Sequence, residues 1–508
     1  MTEPGRQVPE GYLGGDARIR SGPAPELVEA GYRLEIGDAA LLHRGLGLAD
    51  LAQLVMLVES GVVPRATAAA LAPTLLDWLD LPAERFPYDP AYGDSYNSRE
   101  RELERLHGPA AGWLHTGRTR REAGRIAFRL VLRERLLDLH AAVGRLVSAL
   151  ADGSAAHAGT VWADTTYLQP AQPSTFGHYL GAFGEEATRH LDRLEAAHAW
   201  ADRSPAGAGG VGGTRVPLDR ARLSKLLGFG SPCSHTRDGM WATDGLVDAV
   251  LAATQAATTT DRLAEDLEVF ASPGFGYVEL DASLCRASVL MPQKRNPYAL
   301  AVIRSGAGTL VGRVTGLLVT QRTPSARTDN WLHAYGEVAA SLDLARRVVA
   351  LGAEVVATLH VDTDVLAGAA AAHFTGAADL AEELVLRAGL DYRSAYRVVG
   401  RAVADAVESG RASIGPADVG RAGSEVLGRS IDVDPTVVAA ALDPRQIVET
   451  RTAPGGSAPE RVRGHCASLR RRLDAAAKWE NDRRADADAA EAALLAAARE
   501  LAGYLGRV

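Results

Sequence analysis

Five long stretches, 119–151, 175–202, 238–271, 297–321 and 329–361, carry apolar residues at helical spacing with alanine-rich faces. Patterns of this length point to a bundle of long helices. Hardly any stretch alternates apolar and polar residues as a half-buried strand does. The expected fold class is therefore all-α, with three helical domains and a central bundle of five long helices. With 508 residues the chain forms more than one structural unit. The expected divisions are 1–118, 119–365 and 366–508. Residues 1–26, rich in Gly and Pro, read as an extended arm. A last long helix starts near Pro459, and its end, 479–501, alternates acidic and Ala-rich blocks like a solvated tail.

The formal charge of −8 argues against nucleic acid or an acidic membrane as partner. A small acidic substrate stays open, because only local charge matters to it. Cys233, Cys285 and Cys466 are too few and too scattered for a disulfide frame or a CxxC metal site, which fits a reducing cytoplasm. Cys285 has no histidine beside it, so a plain loop thiol is preferred to a nucleophile. No uninterrupted apolar run reaches membrane-spanning length, and the first residues lack the basic-then-apolar pattern of a signal peptide.

Chemistry concentrates first in Arg286–Pro297, RASVLMPQKRNP. It puts the Ser288 hydroxyl on a loop shortly before Lys294 and Asn296 at a helix start. Asn296 is suited to cap that helix and Pro297 to its first turn. A helix N-terminus with a lysine beside it attracts carboxylate. Lysine occurs only at Lys225, Lys294 and Lys478, so this chain, which otherwise writes arginine, has kept a compact ammonium at 294. An isolated Asn-Pro would read as a cap beside a solvated base; the intact MPxKxNP run outweighs that reading.

The second stretch, His115-Thr116-Gly117-Arg118-Thr119-Arg120-Arg121-Glu122, opens the first long helix. Arg118, Arg120, Arg121 and Arg125 crowd an end that is already positive. Pairing with acids such as Glu122 is the bland explanation; an anion held there is the reading preferred. The third, Thr165-Thr166-Tyr167-Leu168-Gln169-Pro170-Ala171-Gln172-Pro173, has two prolines that set a turn before the next helix. The run Gly207–Thr214 lacks Gly-Lys-Ser/Thr and a preceding strand, so it reads as a flexible connection whose amides can approach a ligand.

These stretches resemble signature segments of the argininosuccinate lyase family within the fumarase/aspartase superfamily: GSSxMPxKxNP, HTGRSRND and THLQPAQPTTFGH. Gly455-Gly456-Ser457-Ala458-Pro459 resembles a fourth, GGTAP. The resemblance spans roughly residues 30–470. It implies that Ser288 is the catalytic base, that Lys294 and Asn296 hold a substrate carboxylate, that Thr119 and Arg120 bind the fumarate half, that Thr166 supplies a carboxylate-binding hydroxyl, and that Gln169 binds the substrate, with Arg121 on an additional acidic group. Arg121 stands for the family's Asn and turns an amide into a cation. Tyr167 stands for its histidine, the candidate general acid or its orienter. Thr328-Asp329-Asn330-Trp331 replaces a more polar segment that helps bind the arginine end.

The resemblance further implies a cytoplasmic homotetramer whose active sites each draw on three subunits. Apolar periodicity around more of the long helices than one chain's packing needs agrees with this. The implied reaction is reversible elimination of fumarate from an N-substituted L-aspartate, without metal or organic cofactor. Argininosuccinate, and with it arginine biosynthesis, is the default. An aminocarboxylate of the ethylenediamine-disuccinate type, another specialised N-succinyl amine, or a catalytically silent crystallin-like homologue are the alternatives.

Overall fold

The computed structural model describes residues 18–322 and 331–503. The start of the expected arm and residues 328–330 lie outside the described residues. The described chain is predominantly helical, and its long helices build one bundle. After short helical turns over residues 25–37 come the longer helices α1 (Ala39–Glu59), α2 (Arg65–Asp80) and α3 (Ser95–His107). The bundle follows: α4 (Arg120–Ala156), α5 (Phe176–Ala201), α6 (Asp244–Phe270), α7 (Tyr298–Leu318) and α8 (Ala334–Ala357).

Local chemistry explains where several of these helices begin. The Thr119 hydroxyl accepts from the Glu122 amide and the Thr175 hydroxyl from the His178 amide, each closing an open first turn. The expected helix over 238–271 is broken. A short helix, Thr236–Trp241, stops at Ala242, whose backbone is extended, before α6 begins. Two arginines of α4 take over the carbonyls at the break. Arg125 Nε donates to Met240 O at 3.0 Å and Arg129 Nη2 to Gly239 O at 3.4 Å.

Side-chain contacts give the direction of each bundle helix. Tyr335 meets Arg125 near the start of α4 and Val356 lies by Gly153 near its end, so α4 and α8 run parallel. Ser154 bonds Gly177 O at one end of α5 and Arg129 bonds Trp200 O at the other, so α5 is antiparallel to α4. Arg304 of α7 reaches Asp261 and Glu268 of α6.

One expectation is corrected between α4 and α5. Residues 161–175 form an antiparallel hairpin, β1 (Val161–Thr166) with β2 (Gln169–Thr175), whose turn is Tyr167-Leu168. Both turn residues are left-handed, with φ of 54° and 57°. The prolines do not make the turn. Pro170 pairs with Thr165 and Pro173 with Ala163, on a two-stranded ribbon that has edges to tolerate them. Strand alternation was hidden because Trp162 and Ala163 are both buried at the ribbon's root, under Phe176, Tyr179 and Phe270.

Three large apolar cores stand out among the described residues. The largest fills the bundle. The second joins α1 and α2 to Leu223–Phe229. The third holds residues between Leu380 and Ala441. The last helix, α9 (Pro459–Ala502), does not stay with that third core. Its Leu469 and Ala476 enter the bundle core, and Leu494, Ala498 and Leu501 enter the second. The expected solvated tail is thus a strap across two cores, with Arg44–Glu491 and Arg65–Glu500 ion pairs alongside. Its buried stripe is narrow and set among acidic residues, which disguised it.

Among the described residues two helices are long and apolar enough by composition to cross a membrane, although charged residues interrupt both, so neither is the uninterrupted apolar run that was expected to be lacking. Ala39–Glu59 is the buried core of the N-terminal unit. Tyr298–Arg322 buries Leu300, Ile303, Ala307 and Leu310 in the bundle but leaves Val302, Val311 and Leu318 exposed.

Candidate active site

The RASVLMPQKRNP stretch is a tip on a two-rung stem. Arg286 pairs with Asn296 and Ala287 with Arg295, antiparallel. Arg295 ties the stem to Glu279 and the Leu280 carbonyl, and its Nε donates to Cys285 Sγ at 3.3 Å. Asn296 Nδ2 donates to Arg286 O at 2.9 Å. This corrects the expected cap: Asn296 is committed to the stem, and Pro297 occupies the N-cap position of α7 with no side-chain bond.

At the tip, Ser288 Oγ accepts from the amides of Met291 at 3.0 Å and Leu290 at 3.3 Å. Donors aimed at an oxygen favour its anionic form, which a serine base requires. Val289 and Leu290 are fully or nearly fully exposed. Lys294 is exposed, and among the described residues no carboxylate pairs with it.

Thr166, Tyr167 and Gln169 occupy the hairpin tip, all exposed, Tyr167 at 98%. Two consecutive non-glycine residues at positive φ store strain, as backbone near ligands often does. His178 is held at the hairpin root, with Nε2 2.9 Å from Gly455 O in the Gly-Gly-Ser-Ala-Pro segment. His115 lies elsewhere, 3.0 Å from Tyr96 Oη, and burial with Arg118 lowers its pKa.

The arginine cluster resolves into different fates. Arg118 is buried on Asp50 at 2.6 Å, and Arg99 shares that carboxylate. Arg125 is buried with its guanidinium 3.5 Å from the Trp331 ring centroid and bonded to Tyr335. Arg121 pairs with Glu35 at 2.7 Å. Arg120 lies 3.8 Å from Asp94 and is the more exposed of the two that face the surface, 39% against 18% for Arg121. Much of the counter-charge expected from a bound anion is therefore internal, and Arg120 is left most available.

Arg120 and Arg121 line a small cavity with Asp38, Asp94, Trp331 and Tyr335. Burial, with Glu35 and Glu337 nearby, pushes the Asp38 carboxyl up to about 6. Sequence reasoning missed this wall. Glu35 and Asp38 fall in a short polar run with no motif; Asp94 was visible only as the residue preceding a helix, where it caps Asn97 N at 3.1 Å.

Thr119 Oγ1 also donates to Gly209 O at 3.4 Å, which brings the glycine run to the start of α4. There, Glu122, fully buried, accepts from Gly207 N at 2.7 Å and Gly209 N at 2.6 Å. The run's amides do meet a carboxylate, and it is the chain's own.

One chain does not bring these groups together. Thr119, Arg120 and Arg121 stand at the start of α4. The hairpin follows its end, 37 residues on, roughly 55 Å at helical rise. The Ser288 tip is at the hairpin's end of the bundle. Its stem is tied to Glu279, which pairs with His360 just past α8, and neighbouring Tyr277 rests against Trp162.

Known proteins bear on this arrangement. A lyase family model matches residues 55–312, and an argininosuccinate lyase C-terminal model matches 374–449. The argininosuccinate lyase of Methanoculleus marisnigri is 32% identical over 85% of this chain and 88% of its own length. That of Chelativorans sp. is 32% identical over 90% and 95%. Among solved structures, a variant EDDS lyase with bound fumarate superimposes with a TM-score of 0.85 at 28% identity, covering 98% of this chain and 99% of that one. EDDS lyase in complex with formate gives 0.83 at the same identity and coverage.

Proposed function

The chain belongs to the argininosuccinate lyase family and is a carbon–nitrogen lyase of that fumarate-eliminating kind; from that premise we propose that it reversibly eliminates fumarate from an N-substituted L-aspartate, with Ser288 as the base. The observation that carries this reading is the Ser288 oxygen accepting two backbone amides on a loop tip that also presents Lys294, exposed and without a carboxylate partner among the described residues.

Ser288 as alkoxide takes a proton from the carbon next to the distal carboxylate of the aspartyl unit. That carboxylate then carries two negative charges in an aci form, which Lys294 and Asn296 face. The C–N bond breaks, the new C=C completes fumarate, and the amine departs with its electron pair. Fixed cations and dipoles around the developing charge supply the largest share of such catalysis. Thr119 and Arg120 bind the fumarate half; Thr166 and Gln169 complete its contacts from the hairpin. Arg121 contributes through the carboxylate pair it makes with Glu35.

The active molecule is a homotetramer with shared sites. The roughly 55 Å helix between Arg120 and the hairpin supports this reading, since a second subunit can bring the halves together. The exposed apolar face of α7 is suited to the shared centre. Three free cysteines suit a cytoplasmic setting.

For the leaving group, Tyr167 at the hairpin tip favours alkyl-amine adducts over argininosuccinate. An N-alkyl aspartate leaves as a neutral amine from an ammonium already formed, so no added acid is needed. A guanidino leaving group gains from a donor with a pKa of about 6.5, which a tyrosine at about 10 does not match. The fold's likeness to EDDS lyase supports this choice. The test is fumarate addition against a panel of amines, read by loss of fumarate absorbance, with Ser288→Ala as control. A Ser288→Ala protein that keeps half the wild-type rate removes the base assignment.

A further inference from the structure

One fully buried carboxylate near the candidate site belongs to no substrate contact. Glu122 is fully buried on the third residue of α4, with one oxygen on Gly207 N–H and the other on Gly209 N–H. Those glycines have φ of 76° and 61°, where a side chain is strained, so the loop is shaped to turn its amides inward. Gly209 in turn accepts from Thr119 Oγ1, and Thr119 accepts from the Glu122 amide. The circuit Glu122–Gly209–Thr119 closes around the residue that immediately precedes Arg120.

Burying a carboxylate is costly, and a plain structural link between loop and helix is available from neutral groups. The charged groups acting on Glu122 are Arg118 from its own segment and Arg220 from the short helix Arg220–Leu226. Neither makes a direct ion pair with it. Arg118 is spent on Asp50, and Arg220 on the carbonyls of Ala206 and Cys233. The two glycine amides are its hydrogen-bond partners. Beyond them the loop emerges at Gly210–Gly212, exposed, with Thr236 on Val211 O and Trp241 on Gly210 O.

We propose that Glu122 is a positioning residue for the fumarate half-site: by clamping the Gly207–Gly213 loop through two amides it fixes the Thr119 hydroxyl and the Arg120 backbone for carboxylate binding. This rests on the reading of Thr119 and Arg120 as the fumarate-binding end. It also gives the glycine run, which is not a phosphate loop, a definite task.

The test is fumarate binding by calorimetry to the wild-type protein, Glu122→Gln and Glu122→Asp. Glutamine keeps the size but offers an NH2 to one of the two amides. Glu122→Gln is expected to weaken fumarate at least tenfold and to raise KM by a like factor, with kcat changed less, because the clamp touches neither Ser288 nor Lys294. Glu122→Asp keeps both acceptors and recovers part of the affinity. A folded Glu122→Gln protein that binds fumarate as wild type does overturns the proposal while the elimination reading stands. No fumarate binding by wild type would instead overturn that reading, and this one with it. Should Glu122→Gln not fold, hydrogen exchange in the wild type decides. Gly207 and Gly209 amides are expected to be protected, and more so with fumarate; exchange at exposed-loop rates that fumarate leaves unchanged overturns the clamp.

Discussion

Arg120 opens and Thr166 follows the far end of one 37-residue helix, so two residues assigned to the same substrate stand about a helix length apart, roughly 55 Å, within one chain. Ser288 sits at the same end as Thr166. The geometry therefore divides the proposed site between a basic end and a hairpin-and-serine end, and in the proposed tetramer neighbouring chains reunite them.

Complementation between chains follows from that division. Arg120→Ala and Ser288→Ala homotetramers are each expected to be inactive. Dissociating and reassociating them as a 1:1 mixture should restore on the order of a quarter of wild-type activity, from sites that receive both intact residues. Activity that stays at the level of the single variants would show that both residues serve one chain's site.

Lys294 is expected to need its shape as well as its charge. It stands on an exposed tip without a carboxylate partner among the described residues, free to present a compact ammonium. Lys294→Arg should lower kcat/KM by about 100-fold or more, equivalent to roughly 2.7 kcal/mol of transition-state stabilisation. Wild-type activity in that variant would reduce the site's demand to a positive field.

Tyr167 sets the leaving group in our reading. Wild type is expected to prefer ethylenediamine disuccinate over argininosuccinate in kcat/KM by about tenfold or more, and Tyr167→His to narrow the gap, with a new dependence near the histidine pKa of about 6.5. The left-handed backbone at 167 accepts histidine as readily as tyrosine, so the exchange tests chemistry and not the turn. A wild type that strongly favours argininosuccinate would make that compound the substrate.

Glu122 also predicts a pH dependence of stability. Burial raises its pKa from 4.5 to about 7, so the folded protein holds this proton more tightly than the unfolded chain does. Its contribution is fully present below about 4.5 and is lost as pH rises through about 7. The melting temperature of wild type relative to Glu122→Gln should therefore fall between pH 5 and pH 7.5. A difference independent of pH across that window would mean that the carboxylate keeps one charge state throughout.

The long helices were legible from spacing alone, because a buried helical face repeats at 3.6 residues whatever it packs against. The chemical stretches were legible for another reason: Ser288, Lys294, Thr119 and Thr166 fall in short contiguous runs that resemble family signatures, and local caps such as those of Thr119 and Thr175 depend only on near neighbours in the chain. What the sequence could not determine depends on contacts distant along the chain. The break before α6 is made by Arg125 and Arg129, more than 100 residues away. Arg121 finds Glu35 across 86 residues, and the glycine run finds Glu122 across 85. The end of α9 looked solvated because its few apolar residues have meaning only once the second core is there to receive them. Periodicity and capping are local and survive in a one-dimensional reading; charge pairing and the filling of a core are decided only when the chain has closed in space.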